Sequence, residues 1–133
     1  IRRQRQMCIR DRTLGEALME PHRCYYPLLE PTLDLIKGMA HITGGGLPEN
    51  IPRVLPKGLG ARISTQSWDI PPIFEIIQDS GAGETTEMFR VFNMGIGMVL
   101  VCDPNKASAI QTILPEAIAI GEVIEGTEVI LSR

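Results

Sequence analysis

Apolar residues recur along the chain at two different spacings, and these spacings predict alternating helices and strands. Helical spacing between residues 28 and 36 predicts a helix that ends at Gly38. The same spacing within residues 67–80 predicts a second helix, with Ser67 or Asp69 as its N-cap and prolines in its first turn. Further helices are expected at about residues 48–54, within "TTEMFRVFN", and from Asp103-Pro104 to Leu114.

Short apolar stretches between turn residues predict the strands. "MAHIT" and "ARIST" have the length and composition of strands. "GIGMVLVC" is apolar at successive positions, which predicts a strand buried on both faces. "AIAIGEVI" and "TEVILS" surround Glu125-Gly126 and predict a hairpin. The order of elements predicts an α+β domain, in which helices pack on one face of a mixed β-sheet.

The composition is that of one ordinary globular domain. Of the 133 residues, 44% are hydrophobic and 22% are charged. No stretch approaches the ~20 continuous apolar residues of a membrane span. The three cysteines form neither a CxxC pair nor an even framework, so a reduced, cytoplasmic setting is expected.

The charge is distributed unevenly between a short leader and the rest of the chain. Residues 1–12, "IRRQRQMCIRDR", contain five arginines and one aspartate, so their net charge is +4. The whole chain has 13 Lys/Arg and 16 Asp/Glu, which leaves 8 and 15, or −7, for residues 13–133. An acidic body argues against nucleic acid as a partner. The leader has no consistent apolar period and is expected to be disordered and non-native, with a nucleic-acid-binding arm as the less favoured alternative.

The most unusual stretch is the glycine triplet in "HITGGGLPENIPRVLP". Gly44, Gly45 and Gly46 lie between a predicted strand and a predicted helix, where successive N–H groups can form a concave nest for an anion. No Gly-Lys-Ser/Thr follows, so the triplet is not a P-loop. The alternatives are a phosphate cradle and a tight turn against another element.

Polar residues around the triplet are candidates for the same site. His41 and Thr43 alternate along one strand face, where a histidine can hold a substrate oxygen or transfer a proton, or simply pack. Asn50 and Arg53 share a helix face, and the guanidinium could bind phosphate or form a surface ion pair.

"FNMGIG" is a second candidate contact with a ligand. Asn93 offers a donor and an acceptor, and Gly95 and Gly97 weaken a strand unless something approaches closely. The alternative is a β-bulge. No histidine–cysteine spacing fits a zinc site, so no metal ligands are assigned.

Three motifs, "GMAHITGGGLPENIPRVLP", "EMFRVFNMGIGMVL" and "LGEALMEPHRCYY", resemble in order and spacing those of the phosphoribosylformylglycinamidine cyclo-ligase (AIR synthetase) family. The resemblance covers residues 13–133. It implies the C-terminal domain of a two-domain, homodimeric enzyme, with a ferredoxin-like-related fold. The N-terminal domain, which carries ATP-binding residues and the dimer interface, would be missing. Many family members have threonine where this chain has His22.

The resemblance also implies a reaction and its ligands. Formylglycinamidine ribonucleotide would be closed to aminoimidazole ribonucleotide with ATP and Mg²⁺, in a cleft between the two domains. His41 would be the catalytic candidate. The substrate- or phosphate-binding candidates would be Thr43, Gly44, Gly45, Gly46, Asn50, Arg53, Asn93 and Gly95.

Two other functions remain open at this point. The first is a domain of a related ATP-dependent enzyme: formylglycinamidine synthase, thiamine-monophosphate kinase or selenophosphate synthetase. The second is a non-enzymatic small-molecule-binding module. The glycine motif favours the cyclo-ligase, although this chain alone is expected to be inactive.

Overall fold

The structure, a computed structural model, describes Cys8–Ile9 and residues 12–132, in which short helices and strands alternate. No helix among these residues is long and apolar enough to cross a membrane. The helices are α1 (Leu14–Leu18), α2 (Tyr26–Leu29), α3 (Gly46–Asn50), α4 (Pro72–Ile77), α5 (Thr85–Val91) and α6 (Ala107–Ile113). The strands are β1 (Cys8–Ile9), β2 (Arg12–Thr13), β3 (Ile36–His41), β4 (Leu59–Ser64), β5 (Met98–Cys102), β6 (Gly121–Glu125) and β7 (Val129–Ser132). Segments of 3-10 helix cover Glu30–Leu35, Ile51–Val54 and Pro104–Lys106, and a π-helical turn covers Gln78–Ala82.

The strands form two main sheets. β3 pairs antiparallel with β5, and a separate three-stranded sheet has the order β6-β4-β7. β4 is antiparallel to β6 and parallel to β7, so this sheet is mixed. The predicted α+β class is confirmed, with the strands divided between two sheets instead of one.

The predicted hairpin of the last two strands is wrong. β6 and β7 lie on opposite sides of β4 and do not pair with each other. Their connection crosses the beginning of β4, where the Gly126 N–H donates to the Gly58 carbonyl at 2.9 Å. The backbone of Glu128 then lies directly against Gly60, a position where a Cβ atom would collide with it. The absence of a side chain at Gly60 therefore lets the chain reach the far edge of β4.

Prolines and strand pairing change two predicted helix boundaries. The helical region before Gly38 ends at Leu35, and Gly38 lies inside β3, because Ile36 already pairs with Cys102. The second helix begins only at Pro72, with no side-chain cap. Pro72 disfavours a helical conformation at the residue before it, so neither Ser67 nor Asp69 can act as the cap.

β5 is less buried than its sequence predicts. Val99 is the one residue of this strand that is buried, and the other four are half-buried. The reason is that one edge of β5 borders an open cleft lined by residues from several elements.

The main core packs α3 and α5 against β3 and β4. Its largest fully buried side chains include Ile42, Leu47, Ile51 and Met88. A second cluster joins α2 to α6 through Leu29, Ile110 and Leu114.

The close packing of α3 on α5 depends on Gly46. This residue is buried and has a φ of +55°, and a Cβ atom there would collide with the carbonyl oxygen of Phe89. The carbonyl of Phe92 also lies beside it. The packing of α3 on α5 therefore requires glycine at the third position of the triplet.

The expected disorder of residues 1–12 falls mainly on positions outside the described residues. Of those described, Cys8–Ile9 pairs antiparallel with Arg12–Thr13 in a short ladder. The expectation that the leader is disordered and non-native stays a prediction.

Replacement of Gly46 by alanine is expected to lower the free energy of unfolding by at least about 2 kcal/mol, because the methyl group meets backbone and the left-handed conformation is strained. Gly44→Ala is the matched control, since its Cβ would meet no atom within 4 Å. Urea denaturation should show a change within about 0.5 kcal/mol for this control. Equal stabilities for the two variants would contradict the packing role of Gly46.

Candidate functional site

The glycine loop, residues 43–46, joins β3 to α3 in a tight turn. The Gly46 N–H donates to the Thr43 carbonyl at 3.0 Å. Gly45 and Gly46 have φ values of +93° and +55°, in the left-handed region that favours glycine. Gly44 has no positive φ and faces open space. The geometry of the turn therefore accounts for two of the three glycines and leaves Gly44 without a structural reason.

Asn50 holds the glycine loop from inside the protein. Its side chain is 4% exposed, and Nδ2 donates to the carbonyl oxygens of Gly46 at 2.8 Å and Gly44 at 3.2 Å. The carbonyl of Thr43 lies at 3.5 Å from the same nitrogen. Because these carbonyls converge on one amide, they are turned away from the solvent. Among the described residues, the N–H groups of Gly44 and Gly45 have no hydrogen-bond partner.

Arg53 touches the loop indirectly. Its Nη1 donates to Asn50 Oδ1 at 3.2 Å, which leaves the other N–H groups of an exposed guanidinium for a ligand. Asn50, in contrast, uses both ends of its amide within the protein. The structure therefore makes Asn50 a residue that positions the loop, and Arg53 the member of the pair with free donors.

His41 ends β3 with its ring exposed, and a second histidine lies against it. The Nε2 atoms of His41 and His22 are 3.0 Å apart. At this distance one ring donates to the other, and the tautomers of the two rings decide which is the donor. Tyr25 packs edge-on against both rings, with centroid distances of 6.1 Å to His41 and 5.8 Å to His22.

The turn from Asn93 to Gly97 is held by protein contacts. Asn93 Oδ1 accepts a hydrogen bond from the Gly95 N–H at 3.0 Å, and Trp68 Nε1 donates to the Met94 carbonyl at 2.9 Å. Gly95 has a φ of +96°, and a Cβ atom there would lie 2.5 Å from Pro71 Cδ. The close approach that these glycines predict is thus made by Pro71 and, at Gly97, by the Tyr25 hydroxyl.

These features form one continuous region, which we call the loop cluster: the glycine loop, the His22–His41 pair and the Asn93–Gly97 turn. The Ile42 N–H donates to the Gly97 carbonyl at 2.9 Å, which joins the end of β3 to this turn. Gly97 in turn contacts Tyr25, the residue beside the two histidines. The structure therefore brings His41, Thr43 and the glycines together, while Asn93 and Gly95 contribute to the frame.

Glu49 places a negative charge on one side of the glycine loop. Its Oε2 lies 2.6 Å from the position that a Cβ atom on Gly45 would take. Arg90 Nη1 is 3.9 Å from Glu49 Oε1, but Arg90 bonds more closely to Glu87, at 2.6 and 2.9 Å. The hydrogen bond to Arg90 lowers the pKa of Glu87 and raises the pKa of Arg90. The Glu49 carboxylate therefore lies beside Gly45, whereas no atom lies within 4 Å of the Cβ position of Gly44.

Sequence reasoning did not place His22 in the site. His22 and His41 are 19 residues apart, a separation that fits no helical or strand period. The loop before α2 brings His22 back over β3, and an ion pair between Arg23 and Glu116 at 2.7 Å anchors this loop. The one available indication was that the chain contains only two histidines.

Comparison with known proteins identifies the family. Residues 2–132 match the family model described as AIR synthase related protein, C-terminal domain. The chain is 52% identical over 125 residues to the phosphoribosylformylglycinamidine cyclo-ligase of Geobacillus kaustophilus (strain HTA426), covering 90% of this chain and 36% of that protein. It is 50% identical over 117 residues to the cyclo-ligase of Desulfitobacterium hafniense (strain DSM 10664 / DCB-2), covering 84% and 34%. The chain thus spans about a third of the length of these curated relatives.

A solved structure has a similar fold. The crystal structure of E. coli HypE, a hydrogenase maturation protein, superposes with a TM-score of 0.62 at 21% identity, covering 82% of this chain and 36% of that one. At this identity the likeness concerns the fold alone. The sequence matches decide the assignment: the chain belongs to the AIR synthase related family, whose C-terminal domain it matches from residue 2 to residue 132.

Proposed function

We propose that this chain forms one wall of the active site of a phosphoribosylformylglycinamidine cyclo-ligase. The enzyme would close formylglycinamidine ribonucleotide to aminoimidazole ribonucleotide in purine biosynthesis, converting ATP to ADP and phosphate. The observation that carries the proposal is the pair of unpartnered glycine N–H groups beside His41. The 52% identity to a cyclo-ligase supports this reaction over those of other two-domain relatives.

The glycine loop would bind a phosphate of the ribonucleotide or of ATP. The N–H groups of Gly44 and Gly45 provide a nest whose shape is set in advance by Asn50. A preorganised set of donors needs no rearrangement when the anion arrives. The free N–H groups of Arg53 add a planar donor set suited to phosphate oxygens.

His41 would act on the reacting end of the substrate. It is exposed at the edge of the glycine loop, and because His22 engages its Nε2, Nδ1 is the ring nitrogen left for the substrate. Nδ1 would donate or accept a hydrogen bond according to the tautomer of the ring. The hydroxyl of Thr43, exposed two residues later, offers a second polar contact. The reaction would begin with phosphoryl transfer from ATP to the formyl oxygen, which releases ADP and in which positioning and charge stabilisation dominate. Attack of the ring-closing nitrogen on the activated carbon would then form the C–N bond and expel phosphate.

Mg²⁺ would accompany ATP in the complete enzyme, since Mg²⁺ in ATP-dependent enzymes is commonly held by one or two carboxylates together with the phosphates of the nucleotide. Within residues 12–132 no three histidine, cysteine, aspartate or glutamate side chains lie close enough together to hold a metal ion. ATP would supply the phosphoryl group that activates the formyl oxygen.

Further features of the complete enzyme belong to the same proposal. Its relatives are about two and a half times as long as this chain, so an N-terminal domain would complete the cleft. We infer a homodimer working in the cytoplasm.

We predict that the isolated chain has no cyclo-ligase turnover and that the complete enzyme has this activity. Residues 13–132 should replace the matched stretch of the Geobacillus kaustophilus enzyme with retained activity, measured as ADP release dependent on formylglycinamidine ribonucleotide. The isolated chain should release no ADP, because part of the cleft is absent. A folded but inactive chimera, beside an active parent enzyme, would contradict the proposed function.

Gly44→Val in this chimera is expected to raise the KM for one of the two substrates at least about tenfold, because a branched side chain would obstruct the nest. Stability should change little, since no atom lies within 4 Å of its Cβ position. Gly45 is a less suitable test, because a Cβ atom there meets Glu49. An unchanged KM for both ATP and the ribonucleotide would return the triplet to a purely structural role.

His41→Ala in the chimera is expected to lower kcat at least about a hundredfold. The melting temperature should stay nearly constant, because the ring is exposed. His41→Asn should restore part of the rate if His41 only donates a hydrogen bond, and none if it transfers a proton. Met39→Ala, on the same exposed face of β3, is the matched control and should leave kcat unchanged. A destabilised His41→Ala protein with normal kcat would identify a packing residue.

A further inference from the structure

An open cleft of about 1260 Å³ lies between β5 and β6. It is bordered by all five successive residues of β5 and by the successive residues 120–123 around the start of β6. Successive residues of a strand point to opposite faces, so a cavity that touches all of them lies at the edge of the strand. The cleft is therefore bordered by an edge of each of these two strands, which do not pair with each other.

The edge of β5 has unpaired backbone groups. Among the described strands, β5 pairs only with β3. The Ile42 N–H donates to the Gly97 carbonyl, and hydrogen-bonded pairs alternate along an antiparallel ladder. Val99 and Val101 are therefore bonded to β3. The N–H and C=O groups of Met98 and Leu100 point towards the cleft.

The edge of β6 follows the same rule. β6 pairs with β4, and the ladder is marked by the Ser64 N–H donating to the Ile120 carbonyl at 2.8 Å. By this alternation, the backbone groups of Glu122 and Ile124 are hydrogen-bonded to β4. The backbone groups of Gly121 and Val123 are left at the open edge, and both residues line the cleft.

The walls of the cleft are largely apolar, and five of its seven charged residues are in ion pairs; Arg53 and Asp69 are the other two. Ala61, Ile63, Ile110 and Leu114 are buried residues that line it. The ion pairs at the cleft are Lys37–Asp103 at 2.6 Å, Arg23–Glu116 at 2.7 Å and Arg62–Glu122 at 2.7 Å. Unpaired peptide groups next to an apolar wall are costly, and a strand satisfies them on both sides at once.

We propose that this cleft binds a β-strand from the part of the enzyme that the relatives have outside the matched stretch. The inserted strand would pair with β5 on one side and β6 on the other, and would join the two sheets into one with the order β3-β5-strand-β6-β4-β7. Its side chains would be apolar and uncharged where they face the walls. About two thirds of the length of the Geobacillus kaustophilus relative lies outside the match, so such a segment is available.

A second copy of this chain fits the cleft less well. An inserted strand must have both edges free. The outer strands of the two main sheets, β3, β5, β6 and β7, each have one edge already paired, and β4 has both. A strand from another part of the same protein meets the requirement, which is why the proposal names it. The proposal rests on the proposed function only in taking its partner from the cyclo-ligase.

The test is to co-express this chain with the part of the Geobacillus kaustophilus enzyme that lies outside the match. Amide hydrogen exchange is then measured for the chain alone and for the purified complex. The amides of Met98, Leu100, Gly121 and Val123 should exchange at least about tenfold more slowly in the complex. Those of Val99 and Val101, which are already bonded to β3, should change less.

Variants of Val123 separate strand insertion from other modes of association. Val123→Pro removes an N–H group at the open edge and should weaken binding about tenfold, while Val123→Thr keeps the N–H and nearly the same shape. Titration by calorimetry would give the two affinities. If the proline variant unfolds, the exchange pattern of the unsubstituted complex still decides.

Three results would overturn the proposal: no complex, a complex without protection of the four amides, or the same protection in the chain alone through self-association. None of these readouts requires catalysis. A complex with protected amides but no turnover would contradict the proposed function and would still support strand binding in the cleft.

Discussion

The contact between Gly46 and the last carbonyls of α5 is the constraint on which the loop cluster depends. It allows α3 to pack directly against α5, because the backbone of one meets the backbone of the other. Phe92, whose carbonyl takes part in this contact, immediately precedes Asn93, so the same packing sets where the Asn93–Gly97 turn begins. Asn50 then fixes the shape of the glycine loop from below through its hydrogen bonds to Gly44 and Gly46. Two loops that are distant in sequence thus form one continuous surface.

The parts of this arrangement that follow local rules could be predicted from the sequence. The helix that begins near Pro48 and the strand before the triplet depend on turn residues and apolar spacing, and both are present. The predicted helix "TTEMFRVFN" is confirmed as α5, since its apolar residues recur at the helical period. Local spacing and turn residues decide whether a segment forms a helix or a strand, so the α+β class could be predicted correctly from the sequence.

The wrong predictions concern residues whose positions are set by contacts with residues far away in the sequence. Gly38 was predicted to end a helix, yet it lies in β3 opposite Val101, more than sixty residues away. The two last strands were predicted to form a hairpin, but Gly60 lets the connection pass and places β7 beyond β4. His22 is a further example, because its contact with His41 depends on a loop that Arg23 and Glu116 anchor. No periodicity within one segment contains this information.

The loop cluster and the open edge of β5 are directly connected through the backbone at Gly97. Gly97 precedes β5 directly, receives the hydrogen bond from Ile42 and supports Tyr25 beside the histidines. A two-stranded ladder open to an apolar cleft holds β5 on one side only, and such ladders are marginally stable by themselves. Pairing at the second edge restrains the backbone of Met98 and so the position of Gly97. Through Tyr25 and Ile42 this restraint reaches His41, so completing the sheet would restrain the side of the loop cluster that Asn50 does not hold.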